Sequence, residues 1–334
     1  MAILWCGGED IDFPNGTAPS VTTNNTYYNS IFSRCGLYST APGNFAQSVT
    51  MSPAVTSAWV SSYIYVPNTA YISTNTGFFG FCKNGGNKGI YWGVGSAINK
   101  LAIIRHTGSA WNVIASESGN TFSVNGFHKV DMQIINYGAS GTVNLYLDNN
   151  LLVTYTGDIS ISGVTDLDCA ALHCSYWYGG AGPASTITFS QIIIADEDTR
   201  TFTLATNYPN AAGDTLDWTG AYTTVDEEVI NDSDVAYTDT NDQYALYNLS
   251  ATPAGSFTVK ACKIAARATR TAGSTPTSLK LGVKSGSTTD VDAGQSLTTG
   301  WATYERLMTV NPVTSSAFTT SEIDSLQVAM ESAA

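Results

Sequence analysis

The sequence predicts an all-β protein built as two β-sandwich (jelly-roll) domains in tandem. Three observations predict it. Apolar and polar residues alternate with a period of two along much of the chain, a pattern strands use and helices do not. Gly, Asn and Pro clusters interrupt the alternation at short, regular intervals. No stretch carries a helical period of useful length. The clearest case is residues 128–157. There Val130, Met132 and Ile134 alternate with Lys129, Asp131 and Gln133, and Gly138-Ala139-Ser140-Gly141 turns the chain. Val143, Leu145 and Leu147 alternate with Asn144 and Tyr146 before Asp148-Asn149-Asn150 turns it again. Short polar side chains suit that turn because they tolerate left-handed backbone. Leu151, Val153 and Tyr155 are expected to form a third inward row. An antiparallel meander with one apolar face must cover a second sheet.

The remaining elements follow in order. Residues 3–13 read as a first strand broken at Gly7-Gly8, with Asp10 and Asp12 alternating with Ile11 and Phe13. Those carboxylates are either an exposed polar row or weak calcium ligands, since hard cations take carboxylate and carbonyl oxygens. Strands are predicted at 32–38, 49–51 and 58–66, the last stopped by Pro67-Asn68. Residues 76–82 and 89–95 flank a turn containing Asn84-Gly85, a hairpin signal because Asn-Gly accepts positive φ. Residues 100–105, 111–115 and Phe122 continue the spacing. Beyond Gly157 come 159–172, an aromatic run Tyr176-Trp177-Tyr178-Gly179-Gly180, and 186–195. The apolar ending of that last strand suits burial on both faces and closes a first domain at 1–195.

Charge then changes abruptly. Residues 196–242 hold 12 of the chain's 27 acidic residues against one base, Arg200. This marks an acidic connector at 196–220, facing either solvent or a basic partner. A second, smaller β-sandwich is predicted at 221–334, with strands at 243–249, 257–267, 278–285, 302–310 and 326–330 and a single helical turn capped by Ser321. The inward row of the strand holding Tyr304, Arg306 and Met308 is open on the sequence alone.

Composition narrows the function. A net charge of −13 and a pI near 4.4 argue against nucleic-acid binding, which needs a Lys/Arg patch. Charged residues are only 12% of the chain, so its surface is polar but largely uncharged, as in exported or particle-bound β proteins. No apolar run is long enough to span a membrane, and the first residues carry no basic region or apolar stretch of a signal peptide. The expected origin is therefore a cytoplasm left by lysis. Six irregularly spaced cysteines predict buried free thiols rather than a disulfide framework.

Two stretches resemble known families. His128-Lys129-Val130-Asp131, the Gly turn and the run from Leu145-Tyr146-Leu147-Asp148 to Val153 resemble the laminin-G or concanavalin A-like lectin/glucanase sandwich, over roughly residues 1–195. The resemblance implies a fold; such jelly rolls bind sugars, cut them, bind proteins or fill space. From about 199 to 334 the chain resembles a module of tailed-phage virion proteins. The residues that carry this likeness are Asp214-x-x-Asp217-Trp218-Thr219-Gly220, Val225-Asp226-Glu227, Tyr244-Ala245-Leu246, Lys280 to Gly286 and Ile323 to Val328. It implies a multi-copy virion subunit whose partners are other tail or capsid proteins.

Motifs for chemistry are sparse. Glu322-Ile323-Asp324-Ser325-Leu326-Gln327 approaches a glucanase Glu-x-Asp-x-x-Glu but ends in Gln327, in the wrong domain. Cys169, His173 and Cys174 fit no zinc spacing, and no Gly-x-Ser-x-Gly, P-loop or dinucleotide fingerprint occurs. The expectation is a protein without cofactor that is not an enzyme, a structural subunit acting through interfaces. The alternative is a glycan-binding receptor module of a tail tip for a host surface sugar, stacking on Trp92 or on Tyr176, Trp177 and Tyr178, residues that otherwise fill the core, and a third reading is a glycan-cleaving depolymerase.

Overall fold

The structure, a computed structural model, describes residues 3–7, 43–65, 76–83, 88–96, 100–119, 121–123, 126–176, 188–227 and 231–334. The described residues fall into two compact units, the first ending at Leu204 and the second beginning at Ala205. The fold is all-β, as the alternation predicts.

The first unit contains β1 (Ile3–Gly7), β2 (Gly43–Val55), β3 (Ala58–Tyr65), β4 (Thr76–Cys82), β5 (Gly89–Val94) and β6 (Leu101–His106). It continues with β7 (Trp111–Ser116), β8 (Phe127–Ile135), β9 (Gly141–Leu147), β10 (Asn150–Gly157), β11 (Leu167–Tyr176) and β12 (Thr188–Ala195). These make two six-stranded antiparallel sheets, ordered β1-β12-β3-β8-β9-β10 and β2-β11-β4-β5-β6-β7. The meander read from residues 128–157 is the β8-β9-β10 edge of the first sheet, with Met132 opposite Leu145 and Asp131 opposite Tyr146. Its turn uses left-handed backbone at Asp148 and Asn149, with φ of 48° and 69°.

The sandwich closes because both sheets present an apolar row to each other. Val130, Met132, Ile134, Val143 and Leu145 from one sheet are fully buried, as are Phe81, Ile90, Leu101 and Ile103 from the other. Trp92 of β5 spans the gap, edge-on to Phe78 at 5.6 Å and 6.4 Å from Phe189 of β12. Cys82 and Cys169 face each other across β4 and β11 as buried free thiols. At Gly80 the strands of the second sheet come so close that a Cβ would stand 2.1 Å from the Ile90 carbonyl oxygen.

The second unit contains β13 (Pro209–Leu216), a 3-10 turn (Tyr222–Thr224), β14 (Tyr244–Leu249), β15 (Cys262–Ala268), β16 (Ser278–Ser285) and β17 (Thr288–Val291). After β18 (Gln295–Ser296) and β19 (Ala302–Met308) come a helical turn, α1 (Thr320–Ser325), and β20 (Gln327–Ala333). One sheet runs β13-β14-β20-β16-β17 with β18 beside β16, and β15 pairs with β19 alone. The β15–β19 pair covers the larger sheet: Ala302, Tyr304 and Ile264 pack on Leu279 and Leu281. This settles the row left open by the sequence, since Ala302, Tyr304 and Met308 are the buried residues of β19. The cap of α1 also differs from expectation. Thr319, not Ser321, closes a reciprocal box with Glu322, donating its N–H to Glu322 Oε2 at 2.7 Å. The Glu three residues on is what makes Thr319 the better cap. Of the stretch 196–220, the part to Leu204 lies with the first unit and β13 is an edge strand of the second. No helix among the described residues is long and apolar enough to cross a membrane.

The close approach at Gly80 predicts that Gly80→Ala destabilises the first unit by at least ~2 kcal/mol, because backbone atoms have no rotamer by which to yield. Chemical denaturation measures it; a loss under about 0.5 kcal/mol, the scale of ordinary surface changes, contradicts the packing described.

Candidate functional site

Alternation along β8 places Lys129, Asp131 and Gln133 on the outer face of the first sheet. In register on β3 lie Trp59 opposite Gln133, Ser61 opposite Asp131 and Tyr63 opposite Lys129. An outer row ought to be wet, yet Asp131 and Ser61 are fully buried and Lys129 is only 6% exposed. The reason is a strap, residues 198–203, laid across this face.

The strap is held by matched groups. The Lys129 ammonium donates its three N–H groups to the carbonyl oxygens of Thr199, Arg200 and Phe202, at 2.9, 2.9 and 2.7 Å. Thr199 Oγ1 donates to Asp131 Oδ1 at 2.7 Å. The Arg200 guanidinium lies 4.6 Å above the Tyr146 ring and 5.7 Å from that of Trp59, and Asp198 grips it on two edges. Further along, the Leu204 N–H reaches Gln191 Oε1 at 3.2 Å. Burial pushes the Lys129 ammonium below its ordinary range, with Asp131 and Asp198 pulling the other way. Burial likewise pushes the Asp131 carboxyl up, against the pull of Lys129 and of Thr199. Desolvation is the leading effect on both, as expected of charges taken out of water.

Beside the strap is a polar pocket of about 340 Å³. Tyr63 and Lys129 of the sheet line it, with Asp148 and Asn149 of the β9–β10 turn and residues 200–203 of the strap. Burial, then the negative charges of Asp131 and Asp148, raises the Tyr63 phenol above its usual value, so it stays a neutral donor and acceptor. With three donors already placed on three carbonyls, Lys129 is a structural cation rather than a ligand contact. What the pocket offers is an aromatic ring, an amide, a carboxylate and a guanidinium.

The same turn serves a second group. Asp148 Oδ2 lies 2.8 Å from His128 Nδ1, and His128 Nε2 lies 2.8 Å from Ser123 Oγ. The Phe122 ring, itself buried, packs 5.4 Å from the imidazole. A hydroxyl, an imidazole and a carboxylate thus stand in line.

Of the residues singled out from the sequence, Trp92 is a correction: its ring is 0% exposed between the sheets and presents no face to a sugar. Tyr176 ends β11, its backbone paired with Gly43. Trp177 and Tyr178, and the calcium candidates Asp10 and Asp12, lie outside the described residues. The sequence reading missed Tyr63, Asn149, Arg200 and the Ser123–His128–Asp148 line. No sequence signal marked the cover, since Lys, Asp and Gln are what a solvent-facing row of a strand ordinarily carries.

No protein-family model matches the chain, and no curated protein matches it. Solved structures of similar arrangement include a carbohydrate-binding module from Bacillus subtilis, 12% identical, spanning 48% of this chain and 91% of that one with a TM-score of 0.32. An endo-β-1,4-glucuronan lyase from Trichoderma reesei is 10% identical over 59% of this chain and 96% of its own, TM-score 0.41. An alginate lyase variant bound to alginate tetrasaccharide is 15% identical over 61% and 97%, TM-score 0.41. The neighbours are thus carbohydrate-binding modules and polysaccharide lyases with sandwich folds. The expectation that the chain is not an enzyme is withdrawn: it rested on missing glucanase and nucleophile motifs, absences that speak only to those motifs, and the solved structures of similar arrangement include enzymes.

Two outcomes test the strap. Lys129→Met leaves three carbonyls and Asp131 without their cation and lowers stability by about 3 kcal/mol, the scale of breaking a buried pair; a loss below 1 kcal/mol in denaturant titration shows the strap is held otherwise. The second concerns pH. Because Asp131 has its folded pKa raised, in the window from the ordinary carboxyl value of 3.8 up to the folded one the folded chain keeps a proton the unfolded chain has lost. Stability from this group therefore falls as pH rises through the window. Relative to wild type, Asp131→Asn is expected to gain stability with rising pH there and to hold a constant difference above it; a difference independent of pH contradicts the raised pKa.

Proposed function

We propose that this chain is a glycan-recognition subunit of a tailed-phage virion. In this reading the first unit takes a sugar in the pocket between the strap and the β9–β10 turn. The second unit joins neighbouring copies or other tail or capsid proteins. The observation that supports the first part is the convergence of Tyr63, Asp148, Asn149 and Arg200 on one pocket of about 340 Å³. That volume is at the small end of ligand sites, about 300–1,000 Å³, and suits one or two sugar rings. An aromatic ring for the apolar face of a pyranose, with amide, carboxylate and guanidinium for its hydroxyls, is the chemistry sugars need. A shallow site of this kind binds weakly alone; many copies on one particle raise it by avidity. Support for the virion part is the sequence resemblance of residues from about 199 to 334, together with a polar, sparsely charged composition. The laminin-G-like reading of residues 1–195 belongs to the same proposal.

A glycan array probed with the multimerised chain tests the first part. Tyr63→Ala and Asn149→Gly, the latter keeping the left-handed turn, are each expected to cut binding at least ~10-fold, the weight of one or two lost polar or stacking contacts, measured at a temperature where thermal unfolding shows each variant folded. Binding that both variants keep, but Trp177→Ala loses, moves the site to the aromatic run Tyr176-Trp177-Tyr178; an array blank for the wild type ends the glycan reading. Mass spectrometry and reconstruction of the purified particle test the rest, and absence of the chain from the particle ends it.

A further inference from the structure

Ser123, His128 and Asp148 form a hydrogen-bonded line of which the glycan reading uses only Asp148. His128 and Asp148, twenty positions apart, meet because β8 pairs with β9, and Ser123 reaches the ring from five residues upstream. A carboxylate accepts and does not donate, so His128 Nδ1 carries the hydrogen and donates to Asp148 Oδ2 at 2.8 Å. The neutral ring then keeps a lone pair on Nε2, and Ser123 Oγ, 2.8 Å away, donates to it. Asp148 is itself placed from two sides. Its Oδ1 accepts the Lys129 backbone N–H at 2.9 Å, and its own N–H donates to the Lys129 carbonyl at 2.8 Å. The imidazole rests against buried Phe122 and is 15% exposed, whereas Ser123 is open to solvent. Beside Nε2 stands Gly126, where even a Cβ would be 3.7 Å away, so a reactant meets no crowding from that residue.

We propose that Ser123 is the nucleophile of an ester-hydrolysing centre, with His128 as its general base and Asp148 as the residue that positions the ring. A hydroxyl within reach of a base that a third group orients is the arrangement that activates serine. The substrate class is a carboxylic ester small enough to reach an open surface serine. Ser123 Oγ bonds to the ester carbonyl carbon as its proton passes to Nε2; the carbon–alkoxy bond breaks and the alkoxide leaves with that proton as an alcohol. Water then gives its proton to Nε2 and its oxygen to the acyl carbon, and the carboxylic acid and Ser123 hydroxyl are released. This holds whether or not the neighbouring pocket takes a sugar.

A merely structural His128–Asp148 bond, pinning the turn to β8, needs no hydroxyl at position 123, and that difference separates the two readings. The full chain is treated with a fluorophosphonate probe and, separately, assayed on p-nitrophenyl acetate. The expected result is a label mapped to Ser123 by peptide mass. Hydrolysis should fall at least ~10-fold in Ser123→Ala and in His128→Gln, a conservative share of what general-base help supplies. Asp148→Asn should lower kcat with little change in KM, a split that a merely structural bond does not give. Ser123 is exposed, so Ser123→Ala keeps the fold, verified by its melting temperature, and is the deciding variant. A folded wild type that takes no label, or a label and rate that Ser123→Ala retains, overturns the proposal.

Discussion

One buried ammonium organises the functional face of the first unit. Taking Lys129 out of water carries a penalty of several kcal/mol even after relaxation, and the structure offsets it with three carbonyl oxygens and a neighbouring carboxylate. Each of the three donors has one acceptor, at 2.7 to 2.9 Å, and all three acceptors lie on the strap. The strap therefore cannot leave without stranding a charge in a dry site. Arginine would not serve, since a flat fork cannot cap carbonyls that converge on one point as a tetrahedral ammonium can. Thr199 on Asp131 and Arg200 over Tyr146 and Trp59 add specificity to the same clamp.

The clamp turns a sheet face into a site. Without residues 198–203, the outer row of β3 and β8 would be an exposed strip of Tyr, Ser, Lys and Asp. With them, one flank of the strap and the β9–β10 turn enclose the pocket, and the left-handed Asp148-Asn149 backbone aims two side chains at its rim. Because strand side chains alternate, adjacent residues serve opposite faces. Lys129 points outward to the strap, and His128 takes the inward row with Val130 and Met132. Asp148, at the turn, reaches both: Oδ1 to the Lys129 backbone and Oδ2 to the His128 ring.

The second unit solves a different problem. Its larger sheet is covered by just two strands, and ionic contacts reinforce the small cover. Lys263 and Glu305, neighbours on β15 and β19, pair at 2.9 Å with side chains 7% and 18% exposed. Arg306 reaches from β19 to the Leu281 carbonyl at 3.0 Å and to the Asp290 carboxylate, tying the pair to β16 and β17. Arg306, in the same row of β19 as the buried Tyr304 and Met308, brings a long cationic side chain between the two layers.

Much of this was legible in the residues, and the limits are physical. The period of two over residues 128–157 determined β8 and β9 and the turns of the meander, since burial on one face of a strand is written by its own neighbours; in β10 a register shift between Leu151 and Val153 breaks the predicted inward row and leaves Leu151 55% exposed. Local chemistry nearly sufficed for α1 as well, where the cap moved only from Ser321 to Thr319 because Glu322 reciprocates with the latter. An aromatic beside glycine reads alike in a core and on a platform; contact with Phe78 and Phe189 across the sandwich decided for Trp92. No spacing rule joins Ser123 to Asp148, because strand pairing brought them together. Likewise Lys129 and Asp131 looked solvent-facing until partners 68 to 73 positions downstream covered them. Sequence by itself determined the all-β class and which rows alternate, because those depend on nearest neighbours along the chain. Tertiary structure alone decided which outer row is wet and which is roofed, because that depends on distant segments whose arrival no local pattern records.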